Sequence, residues 1–430
     1  MGTHAAGRSI DSIIKSFRPK LEPYEELYKH LHQNPELSLC EFETAKFIAG
    51  HLSTYQPDGY EIKQAIGGHG LAAILRNGHG PTILLRADTD ALPVAEKTGL
   101  PYASTKRMRD PSGVEHPVMH ACGHDMHMTS LMAAAELLYA ARKLWNGTLV
   151  LVFQPAEEKG KGAQAMVNDG LYTKHNIPLP DIVLGGHVMP YKAGFVGTRP
   201  GTMASSADSW KITLHGRGAH ASQPHVSCDP VVMAAHTVVR LQTIVSREIN
   251  PQRPAVVTVA AMKAGEAENV IPETAELKVD IRAFDDESRG KIINAVQRIV
   301  KAESTASNAA KEPDFDLLRR FPILTNDEDV TARLSGSMKS YFGDSFQISP
   351  PLGGSEDFGI LATSIGKPSC FWVYGGSDAS LVDRLEQEKR REDIPINHSA
   401  YFAPVIQPTL TVAIDAYALA ALTWLGNLSS

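Results

Sequence analysis

At 430 residues and 43% hydrophobic side chains, the chain exceeds what one hydrophobic core usually serves, so two domains are expected, each with a core of its own. A formal net charge of -6 offers no basic surface for nucleic acid or an anionic membrane, and neither partner is expected. Four cysteines (Cys40, Cys122, Cys228, Cys370) show no disulfide spacing, which suits a reducing, cytoplasmic setting. No apolar leader opens the chain, and Gly2 lacks the Ser or Thr four residues on that myristoylation requires. The apolar run from Val405 to Leu425, broken by Gln407, Pro408 and Asp415, reads as a core helix rather than a membrane span.

In chain order, Ile10 to His51 has helical periodicity and predicts two helices, the second from about Glu41 to Leu52. Strands follow at Leu71 to Arg76 and Thr82 to Ala87, the latter an apolar run of the kind buried on both faces. A helix starting near Cys122 and His124 carries Met128, Leu131, Met132, Ala135 and Leu138 at helical spacing. Further strands run from Gly147 to Phe153 and from Asp181 to Leu184. This alternation predicts an α/β domain, a mostly parallel sheet with helices on both faces, where ligands gather beyond the carboxyl ends of the strands. Asp88, Asp90, Glu157, Glu158 and His187 all fall at that edge.

From about Thr202 the pattern becomes strand Trp210 to Leu214, helix Pro230 to Arg247, strands Ala255 to Met262 and Glu276 to Ala283, helix Glu287 to Ser304 and strand Phe315 to Phe321. That β-α-β-β-α-β order is ferredoxin-like and is expected as a compact α+β insert at 202–320, leaving 1–201 and 321–430 as one discontinuous domain. A helix near Val330 to Phe342, a strand Cys370 to Tyr374, a charged loop from Asp378 to Asp393 and the final helix complete the chain. The run L-E-Q-E-K-R-R-E-D within that loop reads as a solvated loop or helix face.

The densest chemistry lies in V-M-H-A-C-G-H-D-M-H-M-T-S-L, Val118 to Leu131. Cys122 and His124 at a helix mouth make a soft metal half-site, or a buried thiol beside packed histidines. Adjacent Glu157 and Glu158 after a strand can face different partners, one a metal and the other a water, or form a charged turn. His187 ends an apolar strand and His398 sits in I-N-H-S-A-Y-F before the last helix; packing and plain surface exposure are their simpler readings. Taken jointly, Cys122, His124, Glu158, His187 and His398 supply five ligand groups, a number suited to two bridged divalent ions with a position open for water.

The ordered series R-A-D-T-D-A-L-P, M-H-A-C-G-H-D-M-H, F-Q-P-A-E-E-K-G-K-G-A, G-G-H-V-M-P, G-R-G-A-H-A-S-Q-P, E-N-V-I-P-E, D-I-R-A-F and G-G-S-E-D-F resembles the aminoacylase and carboxypeptidase-like family of dinuclear metallohydrolases. Within it the chain is most similar to the amidohydrolase branch that includes indole-acetyl-amino-acid hydrolases and hippurate hydrolases. The resemblance implies cleavage of N-acyl amino acids or related small amides by a metal-activated water. It also implies two divalent ions per subunit, zinc or manganese first and cobalt or nickel next, and an inserted lid through which a homodimer forms.

By the same resemblance Cys122, His124, Glu158, His187 and His398 are the metal ligands and Glu157 is the general base. Asp90 supports a ligand histidine. His220 is a lid histidine that stabilises the oxyanion, and Asn269 and Arg282 lie near the substrate carboxylate. Other branches carry a histidine ligand where this chain has Asp88, so the role of Asp88 stays open between site and turn. His127 stays open between support and packing, and Arg282 between substrate and a structural ion pair. Gly353 and Gly354 form a turn that could approach a ligand, with Glu356 and Asp357 structural. Alternatives are a thiol enzyme built on Cys122 and His124, the same site used for amide synthesis or a specialised deacylation, and a non-catalytic metal-binding protein. A serine hydrolase lacks its G-x-S-x-G elbow.

Overall fold

The computed structural model describes residues 9–55 and 57–426, and the reading made at Gly2 lies outside them. The chain forms two compact units, one made of the segments up to Gly201, Thr325–Pro350 and from Asp357 onward, the other of Thr202–Leu324 with Pro351–Glu356.

The larger unit is built on an eight-stranded sheet in the order Glu61–Ile66, Gly70–Asn77, Gly147–Gln154, Thr82–Asp88, Ile182–Lys192, Ser369–Ser377, Val196–Thr198, Phe346–Ile348. The middle strands Gly147–Gln154, Thr82–Asp88, Ile182–Lys192 and Ser369–Ser377 run parallel. Antiparallel pairs flank them on both sides. Parallel strands need cover on both faces, and Thr82–Asp88 is buried at every position after the first. Ile83, Leu85 and Ala87 join one core with helices His124–Ala140 and Thr409–Leu425. Leu84 and Arg86 point the other way, toward the face where Phe358 packs on Gly185 and Asp357 meets the start of helix Gly162–Asn168. Because the central strands share a direction, Asp88, the turn after Gln154 and His187 fall at one edge of the sheet.

Helix His124–Ala140 is buried almost all round, so its polar side chains must find partners inside the protein. Asp125 accepts from His32 Nδ1 at 2.7 Å, and His32 Nε2 lies 3.0 Å from Glu96, all with side chains out of solvent. Burial disfavours a charge on His32, but hydrogen bonds to Asp125 and Glu96 outweigh it and push its pKa up to about 9. A raised folded-state pKa means this contribution is complete below the unfolded value near 6.5 and is lost as pH climbs through about 9. We therefore expect the melting temperature to fall between pH 7 and pH 10 in the parent protein. His32→Gln, which cannot titrate, should be less stable at pH 7 and lose that slope; an unchanged slope in thermal melts would count against the pairing.

Three departures from the sequence expectation have local causes. The N-terminal segment holds three helices, Ile10–Phe17, Leu21–Gln33 and Phe42–Ser53, because Pro19 pushes Arg18 out of the helical region, to ψ 128. Helix Pro230–Leu241 ends before a separate short helix Thr243–Arg247, at Gln242, whose N–H bonds Val239 O and tightens the backbone. The expected charged loop is largely helix, Ala379–Gln387, started by Asp378 accepting from Leu381 N–H and anchored by buried Val382 and Leu385. The strand Glu61–Ile66, polar on its open edge, gave no apolar signal.

The smaller unit has a four-stranded antiparallel sheet ordered Ala255–Ala264, Thr274–Ala283, Ser206–His215, Asp314–Phe321. Helices Pro230–Leu241 and Asp286–Ala306 cover one face, with Ile212, Leu214, Leu277, Ile281, Ile292 and Val296 in its core. Pro351–Glu356 belongs here rather than to the larger unit, because the Ser205 N–H bonds Leu352 O and Gly354 O. Among the described residues no helix is long and apolar enough to cross a membrane.

Candidate metal centre

At the carboxyl edge of the larger unit's sheet, side chains from four separate stretches of sequence come together: Cys122 with His124, Glu158, His187 and His398. Gly123, at φ 83, starts helix His124–Ala140 with a left-handed turn that leaves Cys122 beside the helix mouth. His124 Nδ1 lies 2.8 Å from Asp90 O, so the ring proton sits there and Nε2 is left as the acceptor nitrogen. His187 repeats the arrangement, donating Nδ1–H to Val188 O at 2.7 Å with Nε2 3.5 Å from Cys122 Sγ. Glu158 Oε1 stands 3.9 Å from His124 Nε2 and 3.3 Å from His398 Nε2. Donor atoms of Cys122, His124 and Glu158 lie within 4.8 Å of one another, as do those of Asp88, His124 and His187.

The donor set fits a cation. His124 Nε2 and Glu158 Oε1 are buried and make no hydrogen bond, a costly state for polar atoms unless something positive sits between them. Burial would keep the His124 ring neutral, yet Asp88, Asp90 and Glu158 outweigh it and push its pKa up to about 10. Burial, followed by Glu158, Glu157 and Asp88, also holds the Cys122 thiol well above its usual range. An acidic pocket that pulls a proton onto an imidazole and denies ionisation to a thiol lacks positive charge, which a divalent ion supplies. The His187 ring is held neutral chiefly by burial, the state a metal ligand requires.

The surrounding residues fix these orientations. Asp90 receives Ser38 Oγ–H at 2.7 Å and the Glu158 N–H at 3.1 Å, besides steering His124. Asp88 accepts from Arg86 Nη1 at 2.7 Å and from His127 Nδ1 at 2.5 Å. Burial opposes its charge, but Arg86, His124 and His127 hold its carboxyl well below the usual range. The Val188 N–H donates to His127 Nε2 at 2.9 Å, so both His127 nitrogens are used in hydrogen bonds. His120, the third imidazole of the dense stretch, is buried, and burial pushes its pKa down to about 4. Asp357 accepts from Gln154 Nε2 and the Ala163 N–H, and its carboxylate lies within 4.8 Å of those of Glu157 and Glu356.

Sequence reasoning missed Asn397 and Arg86. Asn397 Nδ2 donates toward Cys122 O and Val188 O, each at 3.2 Å, and lies 3.7 Å from Cys122 Sγ. The next residue, His398, takes a left-handed φ of 70 and bonds Ala121 O through its N–H. This pair clips the His398 loop to the Cys122 turn. An arginine inside a strand buried on both faces was a readable sign for Arg86; the amide of Asn397 had none.

In the smaller unit, His220 pairs with Val270 on a two-stranded ribbon, and at its end the Ala221 N–H bonds Asn269 O. His220 is exposed, and its Nδ1 accepts from the Ser222 N–H at 3.1 Å, which leaves the ring proton on Nε2. Arg282 lies on the four-stranded sheet, bound to Asp280 at 2.7 Å and Ser355 Oγ at 2.8 Å, the ion pair that was its simpler reading. Gly353 and Gly354 turn their carbonyls to Ser205 Oγ.

Comparison with known proteins adds three findings. Residues 84–404 match the model of peptidase family M20/M25/M40. Hippurate hydrolase of Campylobacter jejuni is 39% identical over 345 residues, 79% of this chain and 84% of that one, and N-acetyl-L-cysteine deacetylase of Bacillus subtilis is 37% identical over 349, 81% and 79%. The crystal structure of the Bacillus subtilis YXEP protein, a dinuclear metal binding peptidase from the M20 family, superposes with a TM-score of 0.71 at 27% identity, covering 95% of this chain and 98% of that one. The family match spans well over half the chain and both relatives exceed 30% identity. This chain therefore belongs to peptidase family M20/M25/M40 and is a hydrolase of amide bonds.

Proposed function

We propose that the protein cleaves N-acyl amino acids to a carboxylic acid and a free amino acid, using two divalent ions held by Cys122, His124, Glu158, His187 and His398. The observation that carries this reading is the pair of buried side-chain atoms that make no hydrogen bond, His124 Nε2 and Glu158 Oε1, facing the same space as Cys122, His187 and His398. The thiolate favours zinc and the carboxylate with imidazoles accepts manganese, cobalt or nickel. When bound, the ions supply an acidified water and a polarised amide carbonyl.

The chain's own residues then carry the protons. Glu157, on the turn that presents Glu158, takes the water's proton and returns it to the leaving amine nitrogen. Asp90, through its carbonyl and carboxylate, keeps His124 in the tautomer that offers Nε2. His220, with its proton on Nε2, is a ready donor for the developing oxyanion. Asn269 and Arg282 are assigned to the substrate carboxylate, Arg282 exchanging its bond to Asp280 or Ser355 for it.

The edge strand Ala255–Ala264, with exposed Val256 and Met262, is the surface where a second copy would pair to make a homodimer. Four free cysteines support the cytoplasmic setting.

The test is a panel of acetyl, benzoyl and indole-acetyl amino acids assayed for released amine after metal reconstitution, with the mass of the active species read by light scattering. Release of the free amino acid from at least one class by a dimer is the expected result. No release from any of them, with metal bound, would overturn the reading.

A further inference from the structure

Glu41 has no place in the reaction scheme above, yet it is completely buried and its carboxyl reaches the turn that carries Glu157 and Glu158. Its Oε1 accepts two backbone N–H groups, from Leu39 at 3.0 Å and from Ala156 at 2.8 Å. Both donors are non-glycine residues in the left-handed region, Leu39 at φ 71 and Ala156 at φ 50. Such residues crowd Cβ against the backbone and persist only where their surroundings hold them.

Ala156 is the hinge of interest. Strand Gly147–Gln154 ends two residues before it and the turn Glu157–Lys159 begins one residue after. Its φ and ψ therefore set the direction in which both glutamates leave the sheet. Beyond it, the Glu158 N–H is gripped by Asp90, which is held in turn by Ser38 Oγ–H. The segment Ser38–Glu41 thus fastens the turn at two points, Glu41 at Ala156 and Ser38 by way of Asp90. Burial, then the nearby Asp90 charge, pushes the Glu41 carboxyl up to about 8, so it is largely a neutral acid at pH 7, for which glutamine is a close substitute.

We propose that Glu41 is a positioning residue: one buried carboxyl oxygen locks Leu39 and Ala156 in left-handed conformations and so aims Glu157 and Glu158 at the substrate and the ions. This rests on the roles given to those two glutamates under the proposed function. It differs from a packing role in a definite way. The task belongs to an oxygen acceptor and to a strained alanine, so removing the strain should compensate for removing the acceptor.

The experiment compares Glu41→Ala, Glu41→Gln, Ala156→Gly and the double variant Glu41→Ala with Ala156→Gly, all as metal-loaded protein, by kcat, KM and calorimetric Mn²⁺ titration. Glu41→Ala is expected to lower kcat about tenfold or more, the scale of a misplaced catalytic group, with KM changed little and Mn²⁺ bound more weakly. Glu41→Gln and Ala156→Gly should stay close to the parent, and the double variant should recover the larger part of the lost kcat. Parent-like turnover and Mn²⁺ binding in Glu41→Ala would overturn the proposal, as would a double variant that loses as much kcat as Glu41→Ala alone. If Glu41→Ala fails to fold, Ala156→Gly in that background must restore folding, and no restoration also overturns it. Glu157→Gln is run alongside: full activity there overturns the reading of the site, whereas an inactive Glu157→Gln beside a normal Glu41→Ala overturns only the role of Glu41.

Discussion

Glu157→Gln is expected to keep its fold and its metal while losing amide hydrolysis by roughly two to four orders of magnitude, the contribution usual for a positioned general acid and base. Glutamine preserves the shape and polarity of the side chain, and Glu157 is buried beside a turn closed by the Gly160 N–H on its own carbonyl, so the backbone has no reason to move. What the proposed mechanism loses is the capacity to take a proton from water and return it to the amine. The loss should therefore fall on kcat, with KM little changed. The decisive comparison is kcat against bound metal in the same preparation. Parent-like turnover would remove Glu157 from the mechanism, and loss of metal would make it a ligand.

Chelation should abolish the activity and added Mn²⁺ or Zn²⁺ should restore it. A thiol enzyme using Cys122 would behave in the opposite way, surviving chelators and failing with alkylating agents. The electrostatics argue for the first outcome. A nucleophilic cysteine needs a lowered pKa, whereas burial and then Glu158 and Glu157 hold Cys122 high. The same groups give the metal reaction a pH signature. His124, pushed up to about 10, and Cys122 must both surrender protons as metal enters. Affinity should thus rise with pH, and calorimetry in buffers of different ionisation enthalpy should register protons released per ion. Uptake of metal without proton release would contradict this account, and activity undiminished after complete chelation would end it.

The wider arrangement shows how the site is kept ready. The proposed ligands come from the Cys122 turn, helix His124–Ala140, the turn after Gly147–Gln154, strand Ile182–Lys192 and the loop before the last helix. Three of them are held by a partner outside the proposed ligand set: Asp90 for His124, the Val188 carbonyl for His187, Asn397 for the Cys122 turn. Asp88 shows the same economy. Its carboxylate is held by Arg86 and His127.

Much of this was legible in one dimension. Residues such as Cys122, His124, Glu157 and Glu158 announce themselves because thiols, imidazoles and paired carboxylates are expensive to place beside apolar runs without a purpose, and the alternation of those runs implied a parallel sheet with the candidate site residues at one edge. Short-range devices were harder to read: Pro19 breaking a helix, or Asp378 starting one inside a stretch crowded with charge. What only the tertiary structure decided is partnership. Which imidazole nitrogen carries the proton, that Arg86 neutralises Asp88, that Asn397 grips the Cys122 turn from 275 positions away, and that Glu41 reaches Ala156 across 115 are facts of packing. A hydrogen bond depends on distance and angle in space, and residue type and periodicity carry no record of either.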